Sequence, residues 1–171
     1  MSQQTKLKGN PVNLTGNVLN VGDTAPAIAV VKGDLSEMTV GGAKATAQLI
    51  VVVPSLDTAV CATETRNFNT KAAALEGVET VIVSMDLPFA SKRFCSTEGI
   101  ENVTTVSDFR NKEFGKAYGM LLADGPLAGV LARAVFVVDK AGKITYKELV
   151  PEITAEPEYD RALEAAKAAA K

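Results

Sequence analysis

Residues 49–53, read Leu49-Ile50-Val51-Val52-Val53, offer no polar face at either alternating position. A strand of that kind is stable only where other structure covers both of its sides. The apolar runs at 78–83 and 134–138 are likewise short and rich in β-branched residues, as expected of further central strands. Helical patterns lie between and after these runs. Residues 63–75 carry Thr65, Phe68, Ala72 and Leu75 at helical spacing, and residues 88–97 open on Pro88 and stop before Gly99. Residues 111–118 and 157–170 are two further candidates. Alternation of strand and helix, with a hairpin at 136–147 turning at Lys140-Ala141-Gly142-Lys143, predicts an α/β fold. Its centre is a mixed β-sheet flanked by helices.

The amino-terminal part reads as short β elements. Residues 11–14 and 18–19 flank Thr15-Gly16-Asn17 as a small hairpin, and residues 28–31 and 37–40 form two more strands. With 171 residues and neither an internal repeat nor a linker, the chain is expected to form one domain over residues 1–171.

Composition matters mainly for what it excludes. The chain has no histidine, which removes Ser-His-Asp and Cys-His catalysis, histidine-held haem and histidine-containing zinc sites. Its two cysteines alone make a poor metal site. A net charge of −2 without a Lys/Arg run argues against nucleic acid or an anionic membrane as partner. No apolar stretch approaches the roughly 18 residues of a membrane span, and residues 1–8 show no signal-peptide core, so the cytoplasm is the expected location.

The strand at 49–53 runs into Pro54-Ser55-Leu56-Asp57-Thr58-Ala59-Val60-Cys61, and a helical pattern follows. That order places Cys61 in or near a first helical turn, where free backbone N–H groups and the helix dipole favour negative charge and hence thiolate. An ordinary thiol is only a few per cent ionised at neutral pH, and lowering its pKa by about two units takes roughly 2.7 kcal/mol. A helix terminus supplies about 0.3–1 kcal/mol, so a nearby cation is also needed. Position alone leaves open that Cys61 is simply a small buried apolar residue. It equally leaves Thr58 as a helix N-cap, Pro54 as a strand terminator and Arg133, just before the 134–138 run, as a solvated flank.

The spacing Pro54-x-x-x-Thr58-x-x-Cys61 resembles the active-site motif of peroxiredoxins, on a thioredoxin-like fold, and the wider segment resembles their bacterial thiol peroxidase branch. Blocks at 86–90, 93–95, 108–111, 123–127, 131–134 and 152–154 follow in the family's order, so the likeness spans nearly the whole chain. It implies that Cys61 is the peroxidatic thiol and that Cys95, 34 positions on, resolves its sulfenic acid in an intramolecular disulfide. Thr58 and Arg133 would hold the peroxide and stabilise charge, and Pro54 would shield the thiolate. Hydroperoxides are the implied substrates and thioredoxin or a similar dithiol the reductant, with a homodimer as the assembly and no metal or organic cofactor. Arg110 and the apolar stretch 118–127 are secondary candidates for supporting the site or an interface. Two cysteines in separate helices further imply that the Cys61 turn and the 88–97 helix must move to meet.

Overall fold

A computed structural model describes residues 3–171; Met1 and Ser2, at the start of the segment read for a leader, lie outside the described residues. Strands β1 (Gln4–Leu7) and β2 (Asn10–Thr15) form an antiparallel hairpin, followed by β3 (Ile28–Lys32), β4 (Glu37–Val40) and β5 (Ala47–Val52). Then come α1 (Ala59–Ala72), β6 (Val78–Ser84), α2 (Pro88–Glu98), β7 (Thr104–Ser107) and α3 (Glu113–Tyr118). The chain ends with β8 (Leu121–Leu122), β9 (Ala134–Val138), β10 (Ile144–Leu149) and α4 (Tyr159–Ala169).

Seven strands form the central sheet in the order β10-β9-β5-β6-β7-β3-β4. The pairs β5–β6 and β6–β7 are parallel, with α1 and α2 as their crossovers, and the other pairs are antiparallel. Every residue of β5 is buried. Its alternation splits the core: Leu49, Val51 and Val53 join Cys61, Phe68, Ala162 and Ala166 on the face covered by α1 and α4. Ile50 and Val52 join Phe114, Tyr118, Val12 and Leu14 on the other. The period of two along an unbroken apolar run thus feeds two separate cores. None of the described helices is long and apolar enough to cross a membrane.

The amino-terminal hairpin forms with a different partner from the one expected. β2 turns back at Lys8-Gly9 onto Gln4–Leu7, and residues 18–19 form no strand. Lys8 and Gly9 both have positive φ, 50° and 82°, which suits the two-residue turn of a tight hairpin. Beyond Thr15, the Asn17 N–H donates instead to Lys116 O at 2.8 Å. Strand β7 escaped sequence reading because Thr104, Thr105 and Ser107 lack apolar periodicity, although 105–107 are buried. The stretch 118–127 is also more ordered than a loop: Tyr118 and Met120 are core residues, and β8 pairs with β2.

Candidate active site

Two neighbouring strand ends bring the site together. In the antiparallel β5–β9 register Val52 faces Ala134, so Arg133 stands at the mouth of β9 where β5 runs out into Val53 and Pro54. Both Pro54 and Arg133 are buried, and Arg133 is therefore no solvated flank. Cys61, the third residue of α1, is fully buried and close enough to the Arg133 guanidinium for a charge on its sulfur to act on it. Asp57, Thr58 and Ala59 just before it are exposed, which leaves the thiol less than one helical turn from residues at the surface.

Thr58 is the N-cap of α1: its hydroxyl accepts from the Cys61 N–H at 3.3 Å and donates to Ser55 O at 3.2 Å. The cap fixes the turn that presents the thiol. Asn caps as well as Thr but has no hydroxyl. Thr58→Asn should therefore hold the melting temperature close to the parent value while slowing peroxide reduction, and Thr58→Ser should preserve both. An undiminished rate in the Asn variant would reduce Thr58 to a cap.

Glu64 is the residue that sequence reading missed. Its carboxylate Oε2 accepts from Arg133 Nη1 at 2.5 Å, both side chains being essentially inaccessible. Arg133 Nε donates to Ile153 O at 2.7 Å, fixing the guanidinium plane. Glu64 stands three residues after Cys61, so both project from one face of α1. A carboxylate on the buried stripe of Thr65, Phe68 and Ala72 was the available signal. Burial works against the charge of Arg133, yet Glu64 and Cys61 beside it more than offset this and raise its pKa. Burial likewise pushes the Glu64 carboxyl up to about 7, against the pull of Arg133.

That upward shift has a definite sign in stability. Between its ordinary value of 4.5 and about 7, the folded protein keeps a Glu64 proton that the unfolded chain has lost. The stabilisation from this proton is full at lower pH and disappears as pH rises through the folded value. Compared with Glu64→Gln, the parent should lose stability progressively between about pH 5 and pH 7. Parallel pH profiles of the two proteins in thermal melts would contradict the assignment.

Cys95 occupies the penultimate turn of α2, half-buried, with its sulfur 3.3 Å from Thr105 Oγ1 on β7; burial raises its pKa. Both cysteines are free thiols. Cys61 lies beside Arg133 at the mouth of β9, whereas Cys95 faces β7, with β5 and β6 between those two strands. Arg110 lies elsewhere, paired with Glu37 of edge strand β4 at 3.0 Å and stacked over Phe109. Among the described residues no cluster of metal-ligating side chains occurs.

A mixed sheet with parallel crossovers, a buried cysteine at the start of the first crossover helix and a buried arginine beside it define a thioredoxin-like thiol protein. Comparison with known proteins makes this specific. The Redoxin family profile matches residues 20–163. A thiol peroxidase of Aquifex aeolicus is 58% identical over 160 residues, covering 94% of each chain. One from Campylobacter jejuni is 58% identical over 151 residues, 88% of this chain and 85% of its own. The crystal structure of a peroxiredoxin-like protein from Aquifex aeolicus superposes with a TM-score of 0.95 at 54% identity, covering 98% of both chains. The chain belongs to the Redoxin family and, within it, to the bacterial thiol peroxidases.

Proposed function

We propose that this peroxidase reduces hydrogen peroxide and organic hydroperoxides through Cys61, serving antioxidant defence and redox homeostasis in the cytoplasm. It would act as a homodimer of single-domain chains. The observation that carries the reading is the Cys61 thiol at the capped start of α1, against a buried, ion-paired Arg133. The thiolate attacks the terminal peroxide oxygen, the O–O bond breaks, and the departing alkoxide or hydroxide leaves as alcohol or water once protonated. Cys61 becomes sulfenic acid, its sulfur oxidised by two electrons. Arg133 keeps its charge throughout and stabilises the oxygen on which negative charge develops. The Thr58 hydroxyl sits one turn away and would exchange its Ser55 partner for sulfur or peroxide.

Cys95 then attacks the sulfenic sulfur. The S–S bond forms, the S–O bond breaks, and water leaves with the thiol proton. Thioredoxin or a similar dithiol reduces the disulfide by two thiol exchanges and restores both cysteines. No metal or organic cofactor enters this cycle. The names of the close relatives support the peroxidase chemistry, and the two free cysteines supply the thiols that it needs. A stopped-flow peroxide titration tests it. One thiol equivalent should disappear rapidly per peroxide, followed by turnover when thioredoxin, its reductase and NADPH are supplied. Oxidation at the rate of a free thiol would reject the reading.

A further inference from the structure

We propose that Asp86 is a positioning residue that holds the Cys61 turn closed, and that its release governs how fast the sulfenic acid passes to a disulfide. The inference rests on the reading that Cys95 resolves Cys61. Asp86 lies two residues beyond the end of β6 and accepts from three donors. Oδ1 takes the Ser55 hydroxyl at 2.7 Å; Oδ2 takes the Leu56 N–H at 2.7 Å and the Ser84 hydroxyl at 2.9 Å. Ser84 is itself a buried end of β6, and its carbonyl accepts from Asp108 N at 2.9 Å, so the carboxylate is anchored on the sheet.

From that anchor a continuous set of hydrogen bonds reaches the reactive residue. Asp86 holds Ser55, Ser55 O accepts from the Thr58 N–H and hydroxyl at 3.2 Å each, and Thr58 caps the Cys61 N–H. In the other direction Asp86 is followed at once by Leu87 and Pro88, which begin the helix that carries Cys95. One side chain therefore ties together the roots of the two cysteine-bearing elements. Farther along, Arg66 of α1 pairs with Glu98 of α2 at 3.1 Å, Asn69 bonds residues 101–102 beyond α2, and Phe94 and Cys95 pack against the apolar cluster that holds Cys61 and Phe68.

A disulfide needs the two Cα atoms within about 7 Å, whereas Cys61 is buried beside Arg133 at the mouth of β9 and Cys95 lies against Thr105 of β7, with β5 and β6 between those strands. Cys61 must leave its pocket, and the Ser55 and Leu56 bonds to Asp86 oppose that departure. While they hold, the sulfenic acid stays beside Arg133, exposed to a second peroxide that would carry it to sulfinic acid. Asp86 thereby sets the partition between recycling and overoxidation, without touching the reacting atoms.

The test follows the sulfenic-to-disulfide step by rapid mixing with one equivalent of hydrogen peroxide, and sulfinic Cys61 by mass spectrometry under excess peroxide. Loss of one hydrogen bond in Ser55→Ala should speed disulfide formation about threefold, and Asp86→Asn, whose amide turns a donor toward donors, about tenfold. Sulfinic acid should fall in proportion, with the first oxidation step changed less than about twofold and Ser55→Thr behaving as the parent. Unchanged or slower disulfide formation in Ser55→Ala, which retains the whole Asp86 side chain and is the milder test of folding, would overturn the inference. So would equal acceleration in Ser55→Thr. If the parent forms no Cys61–Cys95 disulfide, the resolving role itself fails, and this inference with it; a disulfide whose rate ignores both variants removes only the role of Asp86.

Discussion

Arg133→Met should slow peroxide reduction by about 10²–10³-fold and also destabilise the fold by about 3–5 kcal/mol. The two effects have separate origins. On the proposed mechanism the rate falls because Arg133 is a buried cation beside Cys61 and supplies the positive charge for the leaving oxygen. Stability falls because Glu64, fully buried, would keep a carboxyl group with no partner for Oε2, and Oε1 already lacks one. A carboxyl left unpaired in that position either remains charged at high cost or takes up a proton. Glu64→Gln combined with Arg133→Met should therefore recover much of the stability while leaving the rate low. Stopped-flow peroxide kinetics and denaturant unfolding on the same samples distinguish the cases. If the double variant regains activity along with stability, Arg133 acts only as a packing partner of Glu64.

Cys61→Ser should abolish the peroxide-dependent reaction, whereas Cys95→Ser should keep the first turnover and lose recycling by thioredoxin. A serine hydroxyl is not ionised near neutral pH and is a far weaker nucleophile than a thiolate, so nothing at position 61 replaces the sulfur. Cys95 faces β7, away from Arg133, and its half-buried thiol has its pKa raised, both unsuited to first attack. In Cys95→Ser a single peroxide equivalent should still oxidise Cys61 at close to the parent rate. The sulfenic acid then persists and is open to dimedone capture or overoxidation. Mass spectrometry of the trapped adduct at Cys61 checks this directly. A slow first step in Cys95→Ser, or an adduct at Cys95 in the parent, would reverse the roles.

Much of the scaffold could be read locally because its determinants are local. The unbroken apolar run at 49–53 demanded cover on both faces, and β5 feeds both cores. Pro88 and Gly99 bracket α2, with Gly99 at φ 65° as its left-handed cap. The Pro54 to Cys61 spacing placed the thiol in the first turn of α1. Where polar residues fill a buried strand, as in β7, or where a turn two residues long sets the partner, as at Lys8-Gly9, local pattern misled or was silent.

The environment of the thiol was decided by tertiary structure. Arg133 and Glu64 are 69 residues apart, and Asp86 and Ser55 are 31 apart; no periodicity within a segment relates such pairs. They meet because β5 lies between β9 and β6, which aligns the ends of three strands under one helix start. By itself the sequence determined that a thiol would sit at a helix terminus, where the dipole supplies too little to ionise it. Glu64 already stood on the same helix; only the sheet order brought the buried cation Arg133 and the Asp86 carboxylate to that terminus, since strand pairing brings residues so distant in the chain within hydrogen-bonding reach.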